Sequence, residues 1–184
     1  MGNTRGLRAL REELEARKIA VVGKDGRFYT LRPIRLSDAP SLMHGYDAMS
    51  DRSKWFRLLH ALPHLTESMA QAFCSPNPNR ELCIVVEGFG ELEGEILGGA
   101  RIAGAVDGIS AEFAVSLRPE AQGLGLARMA LETVIKAAKE SGYREVWGSI
   151  SSRNDAMLAL PRRVGFSLRR DPDDFSLMLA EFPL

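Results

Sequence analysis

Val115-Ser116-Leu117-Arg118-Pro119-Glu120-Ala121-Gln122-Gly123-Leu124-Gly125-Leu126-Ala127 carries the chain from a strand into a helix. Before it, Ala111 to Leu117 alternates as a strand does, and after it Leu126 to Ser141 has the apolar spacing of a helix closed by Gly142. Gly123 and Gly125 let the backbone turn tightly and bring its N–H groups close to a ligand. The first N–H groups of a helix have no internal partner and its dipole favours an anion, so a pyrophosphate fits there. Ala127 keeps the first turn small. A plain strand-to-helix turn would show the same glycines, and Gly-x-Gly alone leaves both readings open. The absence of Gly-Lys-Ser/Thr sets aside a P-loop NTPase. The late position and the missing third glycine set aside a dinucleotide fold.

Working outward, residues 4–19 read as a helix with Leu7, Leu10, Leu14 and Ile19 near one stripe. It is a docking arm, an oligomer contact or the docked first helix of the domain. The division expected is an N-terminal helical extension at 1–22 and one domain at 23–184. Phe28 to Ile34 alternates as a strand, and Ser37 and Asp38 offer N-cap chemistry for a helix through Met49. Further helices are expected over Ser53 to Leu62 and from Thr66 to the breaker Ser75-Pro76-Asn77-Pro78. Leu82 to Glu87 and Ile96 to Ala105 make a hairpin around the acidic turn Gly88 to Glu95. Beyond the long helix come a strand to Ile150, a helix from Asn154 to Val164 closed by Gly165, and a hairpin of Phe166 to Arg170 with Phe175 to Glu181. This order implies an α/β fold, a sheet packed by helices.

The 184 residues suit a single domain with its own core. Lys and Arg balance Asp and Glu at 24 each, so the basic excess of a nucleic-acid binder is missing. Cys74 and Cys83 form no disulfide framework, and with three scattered histidines no metal site is expected. No apolar run approaches the ~18–20 residues that span a bilayer, and Met1 to Ala20 lacks the apolar centre of a signal peptide. The expected setting is the cytoplasm, without a nucleic-acid or membrane partner.

Glu112 is the candidate catalytic residue. Phe113, Val115 and Leu117 share one face of the strand with Ala111, and Glu112, Ala114 and Ser116 share the other. A carboxylate flanked by two small residues leaves space beside it and reads as a cleft wall. Partial burial would raise its pKa into the range of a general base. The bland alternative is an edge or solvent-facing glutamate.

The whole segment resembles the acetyl-CoA loop of the GNAT superfamily of N-acetyltransferases. Gln122, Gly125 and Ala127 occupy that family's Gln/Arg, Gly and Gly/Ala places, with Gly123 as the additional glycine and Leu117-x-Pro119 as the entry. Asn154-Asp-Ala-Met-Leu, then Val164-Gly165-Phe166, resemble its last helix and exit, and Leu31 to Asp38 its opening strand and cap. The resemblance spans residues 27–182 and implies a single GNAT domain with a mixed, mostly antiparallel sheet flanked by helices. It implies acetyl-CoA as cosubstrate. The pyrophosphate would lie on the N–H groups of Gln122, Gly123, Leu124, Gly125, Leu126 and Ala127, with Arg128 nearby. The pantetheine arm would pair with backbone at Val115 and Leu117, and Asn154 would approach from the opposite side. Arg128 as a solvated helix residue and Asn154 as a helix N-cap are the alternatives. Glu112 would take the amine proton and the N–H near Val115 would face the oxyanion. Where many members have a tyrosine to protonate the thiolate, this chain has Pro161.

Ala111-Glu-Phe-Ala-Val115, the Arg162 to Asp173 segment, Ser50 to Arg57 and Leu62 to Thr66 resemble the bacterial protein-lysine acetyltransferases of the Pat type. This implies a protein acceptor such as an acyl-CoA synthetase. Trp55 and Phe56 line an acceptor groove or belong to the core. A small-amine acceptor stays open, since the acidic turn would suit a cation, as does a non-catalytic acyl-CoA-binding module, against which Glu112 argues.

Overall fold

The computed structural model describes the backbone of residues 4–58 and 62–184 and the side chains of 6–54 and 62–184. The strands are β1 (Ile19–Val22), β2 (Phe28–Pro33), β3 (Glu81–Glu87), β4 (Ile96–Gly104), β5 (Ser110–Leu117), β6 (Glu145–Ser151), β7 (Ser167–Arg170) and β8 (Leu177–Pro183). The helices are α1 (Thr4–Arg17), α2 (Ala39–Asp47), α3 (Asp51–Leu58), α4 (Glu67–Phe73), α5 (Leu126–Glu140) and α6 (Asp155–Val164). One sheet runs in the order β1-β2-β3-β4-β5-β6-β8-β7. Among the described residues, β5 with β6 is its only parallel pair. This is the mixed, mostly antiparallel α/β sheet that the element order implies.

Both faces of the sheet are covered, which is why its central strands read as nearly continuous apolar runs. Leu82, Ile84 and Val86 of β3 join Ala130, Leu131, Val134 and Ala138 of α5 in the main core, while Val85 faces Ala39 and Ala70 under α2 and α4. Leu158 of α6 also belongs to the main core, so α6 lies on the α5 face.

Residues 1–22 are less separate than the expected boundary suggests. Leu7 and Leu14 are buried in the main core, and α1 packs on α5, β2 and β3. Lys18, at φ 45°, ends the helix. The β-branched run after it then pairs with β2, Ile19 opposite Leu31 and Val22 opposite Phe28. A division after residue 22 therefore cuts a hairpin.

Two other expectations change. Asp38 does not cap α2 with its side chain. Its carboxylate accepts from Arg32 Nη1 and Nη2, both at 2.8 Å, and from the Arg35 N–H at 2.8 Å. Arg32 is itself buried and also pairs with Glu87 at 2.6 Å, so satisfying a buried guanidinium outweighs capping. The last strand starts at Leu177 rather than Phe175, because Asp174 accepts from both the N–H and the hydroxyl of Ser176 and extends the turn. The side chains of Trp55 and Phe56, and residues 59–61 of the helix expected to reach Leu62, lie outside the described residues.

Candidate active site

The sheet comes apart where its direction changes. β5 and β6 pair at Ser110–Glu145, Ala111–Val146 and Glu112–Trp147, and no further. Beyond that point β5 continues with β4 as far as Leu117, and β6 continues with β8 as far as Ser151. The two strands diverge around a wedge. Phe113 rests against Phe166, and Phe166 against Phe182, each pair with centroids 5.0 Å apart, so an aromatic stack props the apex from the α5 face. Gly148 makes room for it, since a Cβ there would stand 2.7 Å from the Phe113 ring.

The opening leaves one edge of β5 without a strand. The Arg118 N–H donates to Leu97 O on β4, and Ser110 O accepts from the Ala105 N–H. Backbone groups alternate in direction along a strand, so Glu112, Ala114 and Ser116 bond toward β4. Phe113, Val115 and Leu117 turn theirs to the open wedge. An extended ligand can add to such an edge as another strand would.

A cleft of about 660 Å³ occupies the wedge, within the range of small-molecule sites. Leu117, Gln122, Gly123 and Ala127 line it where β5 passes into α5. Gly123 and Gly125 take φ of 75° and 84°, which is the left-handed region the turn needs. The Met129 N–H reaches Gly125 O at 3.2 Å, so the N–H groups of Leu126, Ala127 and Arg128 precede the first helical bond. A Cβ on Gly123 would meet no atom within 4 Å. The loop is thus an open cradle of donors at a positive dipole end, which fits a pyrophosphate.

Glu112, Val115, Leu117, Gln122, Gly123, Ala127 and Asn154 all line this cleft, while Leu124, Gly125, Leu126 and Arg128 do not. Leu124 packs against the main core, Leu126 is fully buried in it, and Gly125, the N-cap of α5, has no side chain, so these offer only backbone. Arg128 pairs with Glu132 at 2.8 Å. Asn154 caps α6, its Oδ1 accepting from the Met157 N–H at 3.2 Å; its amide nitrogen makes no hydrogen bond among the described residues. Gln122 Nε2 donates to Leu117 O at 3.2 Å, which folds the loop back onto the open edge.

Glu112 stands where the parallel pairing ends. Phe113 is buried toward α5, so Glu112 projects from the opposite face, the one covered by α2 and α4. It is exposed rather than partly buried, and it forms no ion pair among the described residues. The alternation seen in the sequence was right about the face; the neighbours are simply too small to enclose the carboxylate.

The remaining walls were not named as site residues from the sequence, although Ser50 to Arg57 and Asn154-Asp-Ala-Met-Leu carried the family resemblance. Met49, Arg52 and Ser53 come from the α2–α3 junction, Ser149 and Ser151 from β6, Arg153 from the turn before α6, and Asp155, Met157 and Leu160 from α6 itself. Arg52 Nη2 reaches Arg153 O at 3.5 Å, so α3 meets the α6 turn across the cleft. For β6 the alternating serines of Ser149-Ile150-Ser151 beside Asn154 were the available signal. Pro161 is buried within α6 and absent from the lining, its carbonyl accepting from the Gly165 and Phe166 N–H groups. Tyr29, Tyr46 and Tyr143 also lie elsewhere, so no tyrosine lines the cleft among the described residues.

A wedge between parallel strands, with a free edge leading to a glycine-lined helix start, has the shape and donors to fit an extended phosphate-bearing molecule. The Acetyltransferase (GNAT) domain family model matches residues 29–167, and the chain belongs to that family of acetyltransferases. A curated acetyltransferase of Pseudomonas aeruginosa is 26% identical over 160 residues, covering 87% of this chain and 86% of that one. The GNAT domain of S. lividans PAT shares the structure at a TM-score of 0.81 and 25% identity, over 91% of this chain and 97% of that domain. Spermidine N-acetyltransferase from Vibrio cholerae, solved with CoA and spermine, shares the fold at a TM-score of 0.67 and 18% identity, over 84% of this chain and 95% of that one.

Proposed function

We propose that this acetyltransferase moves acetyl from acetyl-CoA to the side-chain amine of a protein lysine in the cytoplasm, with Glu112 as general base. The observation that carries it is the placement of Glu112 at the closed end of the wedge, on the strand whose free edge runs to the phosphate cradle. A thioester laid along that edge would bring its carbonyl toward the apex. The Val115 N–H would donate to the carbonyl oxygen as negative charge develops there. Glu112 would take the proton from the attacking amine, directly or through a water, which its exposure admits. The amine nitrogen then forms the amide as the carbon–sulfur bond breaks. With Pro161 in the core, water delivers the proton to the departing sulfur.

The similarity to the GNAT domain of S. lividans PAT, at 25% identity over nearly the whole domain, supports a protein acceptor of the Pat type. The acidic turn no longer favours a small cation, because Glu91, Glu93 and Glu95 do not line the cleft and Glu95 is held by Arg118 at 3.0 Å. A comparison of acetyl-lysine across the proteome of cells with and without the enzyme, beside a panel of amine metabolites, tests this. Lysine sites that depend on the enzyme and on Glu112 are expected; acetylated amines alone would make the acceptor a small molecule.

A further inference from the structure

The hairpin turn between β1 and β2 lies outside the 29–167 match, yet it touches the phosphate cradle. The Lys24 N–H donates to Leu124 O at 3.0 Å, which fastens the turn to the loop between the two left-handed glycines. The Lys24 side chain continues over the start of α5, where its Cε stands 3.9 Å from the place of a Cβ on Gly125. We propose that Lys24 is a further cofactor-binding residue, its ammonium lending positive charge to a phosphate of CoA held at the N-terminus of α5. This rests on the acetyl-CoA reading above.

The turn is built to hold that position. The Gly23 N–H donates to Arg27 O, and the Gly26 N–H to Gly23 O, both at 2.9 Å. Asp25 does not neutralise the lysine: its carboxylate accepts from the Tyr29 hydroxyl at 2.7 Å and from the Arg27 N–H at 3.2 Å. The Tyr29 bond is also the main reason that carboxyl sits below its ordinary range. Arg27, on the same turn, inclines to Asp25 at 4.0 Å and is largely exposed. Lys24 forms no ion pair among the described residues, whereas Arg128, the cation named from sequence, is engaged with Glu132. A compact ammonium on a fixed turn suits a phosphate as a point charge.

Calorimetric titration with CoA, and with dephospho-CoA lacking the 3′-phosphate, separates the possibilities. Lys24→Ala is expected to weaken CoA by about threefold to tenfold at low salt, with Lys24→Glu weaker still and the loss shrinking as salt rises. Arg27→Ala removes the same charge from the same turn and should leave affinity unchanged. A loss for both ligands places the contact on the pyrophosphate; a loss for CoA alone places it on the 3′-phosphate. Wild-type protein that binds neither ligand would overturn the acetyl-CoA reading itself. Wild-type binding with Lys24→Ala unaffected, or with Arg27→Ala equally weakened, overturns the role of Lys24. Thermal melting of each exposed-site variant confirms that the fold is retained.

Discussion

The two halves of the cleft are made of different material. The half near α5 is mostly backbone: the free edge of β5, the turn through Gly123 and Gly125, and the first N–H groups of the helix. The half near α3 is mostly side chains: Arg52, Ser53, Arg153, Asp155 and Glu112, drawn from three separate stretches of sequence. A backbone site can serve any chain that makes the same turn. A side-chain wall belongs to this protein, and on the function proposed above it is there that the acceptor is selected. Variants in the first half should change cofactor affinity, and variants in the second should change turnover or acceptor choice.

The largest effect is expected at the apex. Glu112→Gln keeps the shape and removes the basicity, so turnover at pH 7 should fall by ~10²–10⁴-fold while acetyl-CoA affinity holds. The loss should narrow at high pH, where more of the acceptor amine is already neutral. Turnover measured against pH, beside calorimetry, checks both halves at once; a fall in affinity alone would move Glu112 to the cofactor side.

Next is Asp38, which precedes α2 outside the cleft lining and holds the buried guanidinium of Arg32. Asp38→Ala leaves that charge to Glu87 alone and should cost about 3–5 kcal/mol in denaturant unfolding. The exposed Arg128–Glu132 pair at the start of α5 should give no more than ~0.5 kcal/mol on Arg128→Ala. Equal effects would show that Arg32 is not truly desolvated.

Pro161→Tyr installs the residue that the family resemblance implies at this place, but at a buried position outside the cleft lining. The larger ring should overpack the core by about 1–3 kcal/mol and bring no gain in turnover. A rise in turnover without a lower melting temperature would mean that the helix turns this position toward the cleft.

A smaller effect separates turns from cleft. Hydrogen bonds from Tyr29, from the Ser110 and Ile109 N–H groups, from Ser176 and from Arg169 hold Asp25, Asp107, Asp174 and Glu181 below their ordinary pKa values. A carboxylate whose folded pKa is depressed contributes stability that is complete above its unfolded value. That contribution fades as pH falls through the folded one. The urea midpoint should therefore hold through neutral pH and decline below about pH 4. Asp25→Asn should flatten part of that decline, and an unchanged slope would show that its bonds to Tyr29 and Arg27 do not persist in solution.

This division also explains what the sequence disclosed. Gly123, Gly125, Pro119 and the alternation of Ala111 to Leu117 are local signals for a backbone shape, so the strand, loop and helix were legible, as was the face of Glu112. Met49, Arg52, Ser149 and Asp155 meet only through tertiary packing, and no spacing announces them. Asp38 shows the opposite failure. Its local cap chemistry was plain in sequence, but a buried arginine six residues earlier made the stronger claim on its carboxylate. Ile19 was absorbed into the helical reading of 4–19, and Ala20 to Val22 into the N-terminal extension, because Leu7, Leu10 and Leu14 set a period that Lys18 then breaks.

The central claim is that acetyl-CoA lies along the open edge of β5 with its phosphates on the start of α5. Ala127 lines the cleft in the first turn of that helix, at a position where a larger side chain requires no unusual backbone. Calorimetric titration of acetyl-CoA into wild-type protein and Ala127→Phe tests the claim without knowledge of the acceptor. Wild type should bind, and the variant, with an unchanged melting temperature, should bind at least tenfold more weakly, about 1.4 kcal/mol. Equal affinity in the two folded proteins would contradict the account.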